Sequence, residues 1–366
     1  KKFLRYWFEV NFSNIEFNCL TSAQSKISTK KWYPCNKGGE FQKWFGNEDY
    51  ILNWKSDGYE IRNFKDETGA LRSRPQNTQY FFKEGITWST VTMGKPSFRF
   101  SSAGRIFESG GSTLFSIEED IYFLLGVLNS KLGELAVGIL SPKISLGEGA
   151  VAKFPIPKFD DEIKKSISKI AYTLVEDFKN MEFFNESSFH FKGLDLLNSS
   201  EIFISDYSIR FQNFFNMKIE DIYEKERTID DLISKQPLQN EKNNSNDRDV
   251  NEFSDEVVGQ KILSYAIGCM MGRYSLDEPG LIYAHAGNQD FDASRYQKFP
   301  ADADGIIPLT EMHRPEGDTF HRIQEFLTAV WGKDTLDANM QWLAESLDKK
   351  ANETAEDTIR RYLASK

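Results

Sequence analysis

The fold of this chain is limited most strongly by a change of sequence pattern at Phe154–Pro157 (FPIP). Before this point, residues 31–116 are rich in aromatic residues and glycine and contain short β-branched runs. After it, apolar residues recur at helical spacing, first at 163, 167, 170, 174 and 178. Two prolines within three positions exclude a helix across the change. We therefore predict an α+β fold, in which an α/β domain precedes a mostly α-helical C-terminal region.

In the front part, glycine-bounded runs of β-branched and aromatic residues predict four short strands. The strands are expected at 85–92, 97–101, 104–107 and 112–116. Apolar residues at helical spacing after three acidic residues predict a helix at 118–131. Residues 1–20 suggest a short helix that leads into irregular chain. Residues 144–157 are predicted to be extended.

The periodicity behind the prolines divides the rest of the chain. We predict four segments: a domain over 1–158, a connecting helix over 159–182, an acidic helical insertion and linker over 183–252, and a mostly helical domain over 253–366. Within the insertion, the pattern is helical from 202 to 232 and polar, without an apolar stripe, from 236 to 252. The last domain is expected to hold helices at 254–274, 318–332, 334–348 and 353–364.

Charge is distributed unevenly along the chain. Residues 1–158 carry 21 basic and 16 acidic residues, a net of +5, whereas 159–366 carry 24 and 39, a net of −15. The asymmetry indicates the front part as the location of any anion-binding surface. On charge alone, an ordinary solvated surface accounts better for a net of +5, because dedicated DNA-binding domains are more basic.

Several classes of protein are excluded by the absence of their signals. No apolar run of about 18 residues is present, so no membrane segment is expected. Three widely spaced cysteines suit reduced thiols in the cytoplasm. The four histidines lack ligand-type neighbours at metal-site spacing, so no metal is expected. No phosphate-binding glycine motif and no Gly-x-Ser-x-Gly motif occurs, and Asp160–Lys164 is interpreted as a helix start. We assign no catalytic residue.

Basic and aromatic residues alternate over 31–105. Residues 72–77 (RSRPQN) combine two guanidiniums and two amides in a stretch restricted by Pro75. Arginine, glutamine and asparagine are the side chains that hydrogen-bond base edges, and arginine also binds phosphate. The alternative is a surface loop whose amides cap neighbouring backbone, with the aromatic residues in the core. The candidate DNA-contact residues are Lys37, Lys43, Arg62, Arg72, Arg74, Gln76, Asn77, Lys95, Arg99 and Arg105.

Among these, we expect Arg72, Arg74, Gln76 and Asn77 to contact a groove or phosphates. We expect Lys37, Lys43, Lys95, Arg99 and Arg105 to contact phosphates.

These residues carry a family resemblance. The segments 32–46 (WYPCNKGGEFQKWFG), 53–54, 72–77 and 85–89 (GITWS) resemble the target-recognition region of BREX phage-defence adenine-specific DNA methyltransferases, the PglX-like family. Residues 125–131 (LGVLNSK) followed by 154–157 are similar to the end of target-recognition domains in TaqI-like methyltransferases and Type I specificity subunits. The segments 263–277 (LSYAIGCMMGRYSLD), 279–280 and 304–308 resemble the part that follows this region in the PglX-like enzymes.

The resemblance implies sequence-specific recognition of double-stranded DNA for N6-adenine methylation. The family's glycine-containing S-adenosylmethionine motif and its Asn-Pro-Pro-Tyr motif do not occur in these 366 residues. The chain also lacks an initiator Met and starts within an amphipathic pattern. We therefore expect a non-catalytic fragment that binds no cofactor, with S-adenosylmethionine bound by an N-terminal methyltransferase domain of a longer protein.

A second hypothesis comes from the acidic back part. A net charge of −15 over 159–366 repels DNA and attracts basic proteins. This part of the chain is therefore also interpreted as an interaction scaffold that docks other defence-system proteins. The two hypotheses are compatible.

Overall fold

The computed structural model describes residues 2–91, 94–142, 145–197, 201–234, 253–283, 291–303, 305, 307–309 and 318–365. The fold is α+β, as predicted, with short strands in the front part and long helices behind them. Contacts divide the chain into two compact units. The first comprises Lys1–Glu182, Ser187–Phe189 and Asp221–Glu241, and the second comprises Phe183–Glu186, His190–Glu220 and Lys242–Lys366.

The first unit contains two small sheets. Its strands are β1 (Leu4–Tyr6), β2 (Trp32–Asn36), β3 (Tyr50–Asn53), β4 (Gly85–Trp88), β5 (Phe98–Ser101), β6 (Ile106–Phe107) and β7 (Thr113–Leu114). One sheet has the order β1-β3-β2-β6, in which only β2 and β6 run parallel. The other has the order β5-β4-β7 and is antiparallel, with Trp88 opposite Phe98. Strands β4 to β7 confirm the four predicted strands.

Six helices accompany these sheets in the described part of the first unit. They are α1 (Ser22–Ile27), α2 (Lys55–Arg62), α3 (Ile121–Asn129), α4 (Lys131–Leu140), α5 (Glu148–Val151) and α6 (Asp161–Met181). Helix α3 begins where the Asp120 carboxylate accepts the backbone N–H groups of Tyr122 and Phe123. It ends at Ser130, whose hydroxyl accepts the Gly133 N–H and so starts α4.

The main core of the first unit lies between β4–β5 and helices α3 and α6. Helices α3 and α6 approach closely because Gly126 faces Ile167, where a Cβ on the glycine would lie 2.5 Å from the Ile167 Cγ2. Trp44, Trp88 and Phe98 fill the space beneath the sheet. A smaller cluster around Tyr33, Trp54 and Phe82 packs against the other sheet.

The second unit is helical. Its helices are α8 (Asp255–Met270), α9 (Thr319–Trp331), α10 (Leu336–Ser346) and α11 (Ala355–Ala364), together with the first part of α7 (Ile204–Ser234). The last turns of α7 belong to the first unit, where Ile222 and Ile229 enter the core. All the helices predicted for this part of the chain are confirmed.

Two local predictions are wrong, and a third falls on residues outside the described ranges. Residues 1–20 were expected to begin with a helix, but Leu4–Tyr6 is a strand paired with β3. The stretch 144–157 was expected to be extended, but Glu148–Val151 forms a helical turn. The predicted linker at 236–252 falls outside the described residues. The predicted four-segment division stays a prediction.

Membrane-spanning elements were sought among the described helices. Within those ranges, no single helix is long and apolar enough to cross a membrane. Helices α3 and α4 reach the required length and composition only when taken together, and a bend of 76° separates them.

Candidate nucleic-acid interface

Residues 65–77, which we name the reading loop, follow α2 directly. Lys65 and Leu71 form an antiparallel bridge, and the Arg72 N–H donates to the Phe64 carbonyl at 2.9 Å. Between them, the Asp66 carboxylate accepts the N–H of Ala70 at 3.0 Å and the hydroxyl of Thr68 at 2.6 Å. These hydrogen bonds, the Thr68 hydroxyl first, lower the pKa of Asp66. The loop is therefore held by backbone and Asx-type contacts that leave its other side chains available.

The four predicted groove-contact residues share this loop and are all exposed. The Arg72 Nε lies 3.6 Å from the Asp66 carboxylate. Arg74, Gln76 and Asn77 form no side-chain hydrogen bond or ion pair with any residue that the structure describes. Asn77 has a φ of +56° and accepts the Tyr80 N–H at its carbonyl, so it ends the loop in a left-handed turn. The structure thus brings one guanidinium and two amides, none of them paired with another described residue, onto one exposed segment.

Four other candidates are partly committed to contacts within the protein. The Lys43 ammonium donates to the Asn129 carbonyl at 3.1 Å, and Arg62 donates to the Asp57 carbonyl at 2.8 Å. The Lys37 ammonium lies 4.3 Å from the centre of the Tyr50 ring. Lys95 is exposed and lies 3.2 Å from Glu134. All four remain at or near the surface, where such contacts are weak and exchangeable.

Arg99 is inside the protein, with 1% of its surface exposed. Its guanidinium donates to the Gln42 carbonyl and to the hydroxyls of Ser89 and Ser97, at 3.3–3.4 Å. Burial lowers the pKa of Arg99 to about 10. A guanidinium in this position cannot meet a phosphate at the surface. We therefore remove Arg99 from the DNA-contact set, and its role is to hold the segment before β3 onto the second sheet.

Arg105 is also buried, with 8% exposed. It forms an ion pair with Glu48, which is equally buried, and its guanidinium lies 5.5 Å from the Phe189 ring centre. Breaking a buried pair of this kind is costly because it leaves an uncompensated charge. The prediction that Arg105 contacts a phosphate is therefore wrong, and Arg105 instead forms an ion pair inside the protein.

Two exposed residues at or near the start of the reading loop are not among the candidate DNA contacts. Lys65 begins the loop and is exposed, and Tyr59 on α2 exposes 66% of its surface. Tyr59 shares a helix face with Asn63, whose amide donates to the Tyr59 carbonyl at 2.9 Å. The sequence showed an aromatic residue amid many others, and only the packing distinguishes Tyr59 from the core aromatics.

The described residues contain no cluster of metal-ligating side chains. No group of three or more His, Cys, Asp or Glu side chains among them can hold a metal ion. Cys19, Cys35 and Cys269 are buried, and burial raises the pKa of each thiol. A buried thiol with a raised pKa is a poor nucleophile. The chemistry that the exposed loop offers is hydrogen bonding to acceptors and to base edges.

Comparison with known proteins relates this chain to larger enzymes. It is similar to the adenine-specific methyltransferase BrxX of Escherichia coli O9:H4 (strain HS), with 33% identity over 400 aligned positions that cover 99% of this chain and 31% of that protein. It is also similar to the adenine-specific methyltransferase PglX of Lacticaseibacillus casei (strain Zhang), with 32% identity over 375 positions, 99% of this chain and 30% of that protein. No family model matches the chain.

The chain therefore spans about 30% of the length of these curated relatives. The homologues are adenine-specific methyltransferases, which confirms the predicted relation to PglX-like enzymes.

Proposed function

We propose that this chain is the DNA target-recognition part of an N6-adenine methyltransferase in a phage-defence system, and that the reading loop contacts the recognised site. The observation that carries the proposal is that Arg74, Gln76 and Asn77 are exposed and that their side chains have no hydrogen-bond or ion-pair partner among the described residues. The choice of adenine as the methylated base in the proposal is supported by the names of the two relatives, which are adenine-specific methyltransferases.

The loop's chemistry suits direct readout of duplex DNA. A guanidinium pairs with the two acceptors of guanine, and an amide pairs with the donor and acceptor of adenine. Because the loop is held by its backbone and Asp66, contacts made by Arg74, Gln76 and Asn77 do not require any pair among the described residues to break. This reduces the cost of ordering side chains on binding.

The catalytic role lies elsewhere in this proposal. The S-adenosylmethionine motif and the Asn-Pro-Pro-Tyr motif are absent from these 366 residues, so we assign both to a methyltransferase domain in the remaining length that the relatives possess. That domain would bind the cofactor and the extruded adenine, while this chain selects the sequence. The chain alone is then expected to bind DNA without methylating it.

The test measures binding of the full 366-residue chain to fluorescently labelled duplexes by anisotropy over a range of salt concentrations. We expect binding that weakens steeply with salt. On a preferred duplex, Arg74→Ala is expected to lose about 1–3 kcal/mol, roughly 5- to 150-fold in affinity, and to reduce discrimination between duplexes.

The matched control is Lys333→Ala. Lys333 is an exposed cation in the second unit with no ion-pair partner among the described residues, and its removal changes net charge equally. If Lys333→Ala weakens binding as much as Arg74→Ala, the effect is one of overall charge and the loop has no special role. Absence of binding to any duplex at low salt refutes the recognition role.

A second candidate function is supported by one surface feature. The first part of α7 exposes Ile209, Phe214 and Met217, with 58%, 43% and 74% of their surfaces accessible, in the acidic part of the chain. Exposed apolar side chains with acidic surroundings suit a basic partner protein. Capture of other defence-system proteins by the wild-type chain but not by Phe214→Ser/Met217→Ser supports docking, and equal capture by both contradicts it.

A further inference from the structure

An open groove of about 490 Å³ lies in the first unit, between the start of α3 and the outer side of α6. We name it the α6 groove. It exists because Ile167, Ala171 and Leu174 bury one side of α6 in the core, which leaves the opposite side of the helix exposed. The hydrogen-bond donors that line the groove are the side chains of Tyr122, Lys164, Lys165, Ser168, Lys169 and Tyr172.

The acceptors at one end of the groove already have donors. The Asp120 carboxylate accepts the N–H groups of Tyr122 and Phe123 and the Ser168 hydroxyl, all at 2.8–2.9 Å. Glu119 accepts both hydrogen bonds of the Lys164 ammonium, at 2.8 and 2.9 Å. Glu119 is thus neutralised by Lys164, whereas the donors to Asp120 are neutral and all reach its Oδ1, so Asp120 keeps its negative charge.

The other donors along the groove, two lysines and two phenols, have no hydrogen-bond or ion-pair partner among the described residues. Lys165 and Lys169 are exposed and form no ion pair with any described residue, and they lie one helical turn apart. Tyr172 exposes 48% of its surface and meets Tyr122 edge to face at 5.2 Å. Neither phenol has a hydrogen-bond partner among the residues with described positions. Asp161 also lines the groove, in the first turn of α6, where the helix N-terminus offsets its charge.

The two exposed ammonium groups of Lys165 and Lys169, one helical turn apart beside two phenol hydroxyls, fit a ligand that offers anionic acceptor oxygens. We propose that the α6 groove binds phosphodiester oxygens of the same DNA duplex that the reading loop contacts. This inference rests on the proposed function, because that function supplies the DNA. Phosphate contacts position a protein on DNA and carry no sequence information. The groove thus contributes affinity and register, whereas the loop contributes specificity.

The experiment compares the full chain with Lys165→Ala/Lys169→Ala in DNA-binding titrations at several salt concentrations. The matched control is Lys333→Ala/Lys349→Ala, which removes two lysines without ion-pair partners among the described residues of the second unit. Each lost phosphate contact lowers the slope of log K against log salt by about 0.9, so the groove variant should lose about 1.8 and the control close to none. Tyr172→Phe, which keeps the ring, tests the phenol separately. Circular dichroism checks that each variant is folded.

Three results are decisive. A reduced slope with unchanged preference among duplexes supports the groove as a backbone-binding surface. If Lys165→Ala/Lys169→Ala binds DNA as tightly as the wild-type chain and shows the same salt slope, the inference is overturned and the proposed function stands. If the wild-type chain binds no duplex, the proposed function and this inference fall together.

Discussion

Replacing the buried Arg99 by methionine tests the interior role that the structure gives this residue. Burial lowers the pKa of Arg99 from 12.5 to about 10, so the charged form carries a penalty of about 3 kcal/mol at neutral pH. Against this stand three hydrogen bonds from the charged guanidinium, each with a net value of about 1.5 kcal/mol or less, because their length of 3.3–3.4 Å places them at the weak end of the range for charged groups. The two contributions are similar. Methionine also fills the space of the stem, and we expect Arg99→Met to change the free energy of unfolding by no more than about 1 kcal/mol.

Arg99→Ala removes the same charge and the same hydrogen bonds but leaves a cavity. It is expected to be about 2–5 kcal/mol less stable than Arg99→Met. Urea unfolding followed by tryptophan fluorescence measures both, because Trp44 and Trp88 are in the same core. Comparison requires equal m values, so that the midpoints report stability. In parallel, anisotropy should show that Arg99→Met binds duplex DNA as wild type does.

Two results would refute this reasoning. If Arg99→Met is as unstable as Arg99→Ala, the hydrogen bonds of Arg99 outweigh its desolvation. If Arg99→Met is stable but loses DNA binding, the guanidinium contacts DNA, and the interior position is not the one in the complex.

Further predictions concern packing, an orphaned donor and pH. Gly126→Ala should cost about 1–3 kcal/mol because its Cβ would meet Ile167, whereas Gly138→Ala on α4, with open space around it, should stabilise the chain by about 0.5–1 kcal/mol; urea midpoints compare them. Glu226→Ala should cost about 1–3 kcal/mol, since the buried Trp44 indole N–H donates to Glu226 at 2.6 Å, and Glu226→Gln, which keeps an acceptor, should cost less. Burial raises the pKa of Glu186, so the ionised carboxylate destabilises the fold above that pKa. Glu186→Gln should therefore be more stable than wild type at pH 7, and the difference should vanish as the pH falls below the carboxyl's unfolded value of about 4.5. A constant difference across pH would contradict this assignment.

Helices were predictable where an apolar stripe continued over several turns. Helix α6 follows from the spacing of Ile163, Ile167 and Ile170, because one face of the helix packs against α3. Helix α4 was missed. Ser130 ends α3 and caps α4 within one residue, so two short helices replace the single helix expected to end at Lys131. Strand β1 was missed because three residues have no periodicity of their own, and its pairing with β3 is made by residues about 45 positions away.

The candidate interface was predictable where it depends on one continuous segment. Residues 72–77 were identified by their composition, and the structure places their polar side chains at the surface. Arg99 could not be assigned in this way. Alternation in Phe98–Ser101 indicates one buried and one solvated face, but the segment before β3 covers the second face through Gln42. Arg105 is buried by Glu48, a residue 57 positions earlier, and a sequence pattern cannot show such pairing.

The most direct test of the recognition role is selection of bound sequences from a randomised duplex pool by the 366-residue chain, followed by sequencing of the bound fraction. The account predicts enrichment of one short motif. It also predicts that Arg74→Ala/Gln76→Ala relaxes this motif, whereas Lys333→Ala/Lys349→Ala preserves it. Recovery of DNA without any enriched motif, or an identical motif from the Arg74→Ala/Gln76→Ala chain, would contradict the assignment of target recognition to the reading loop.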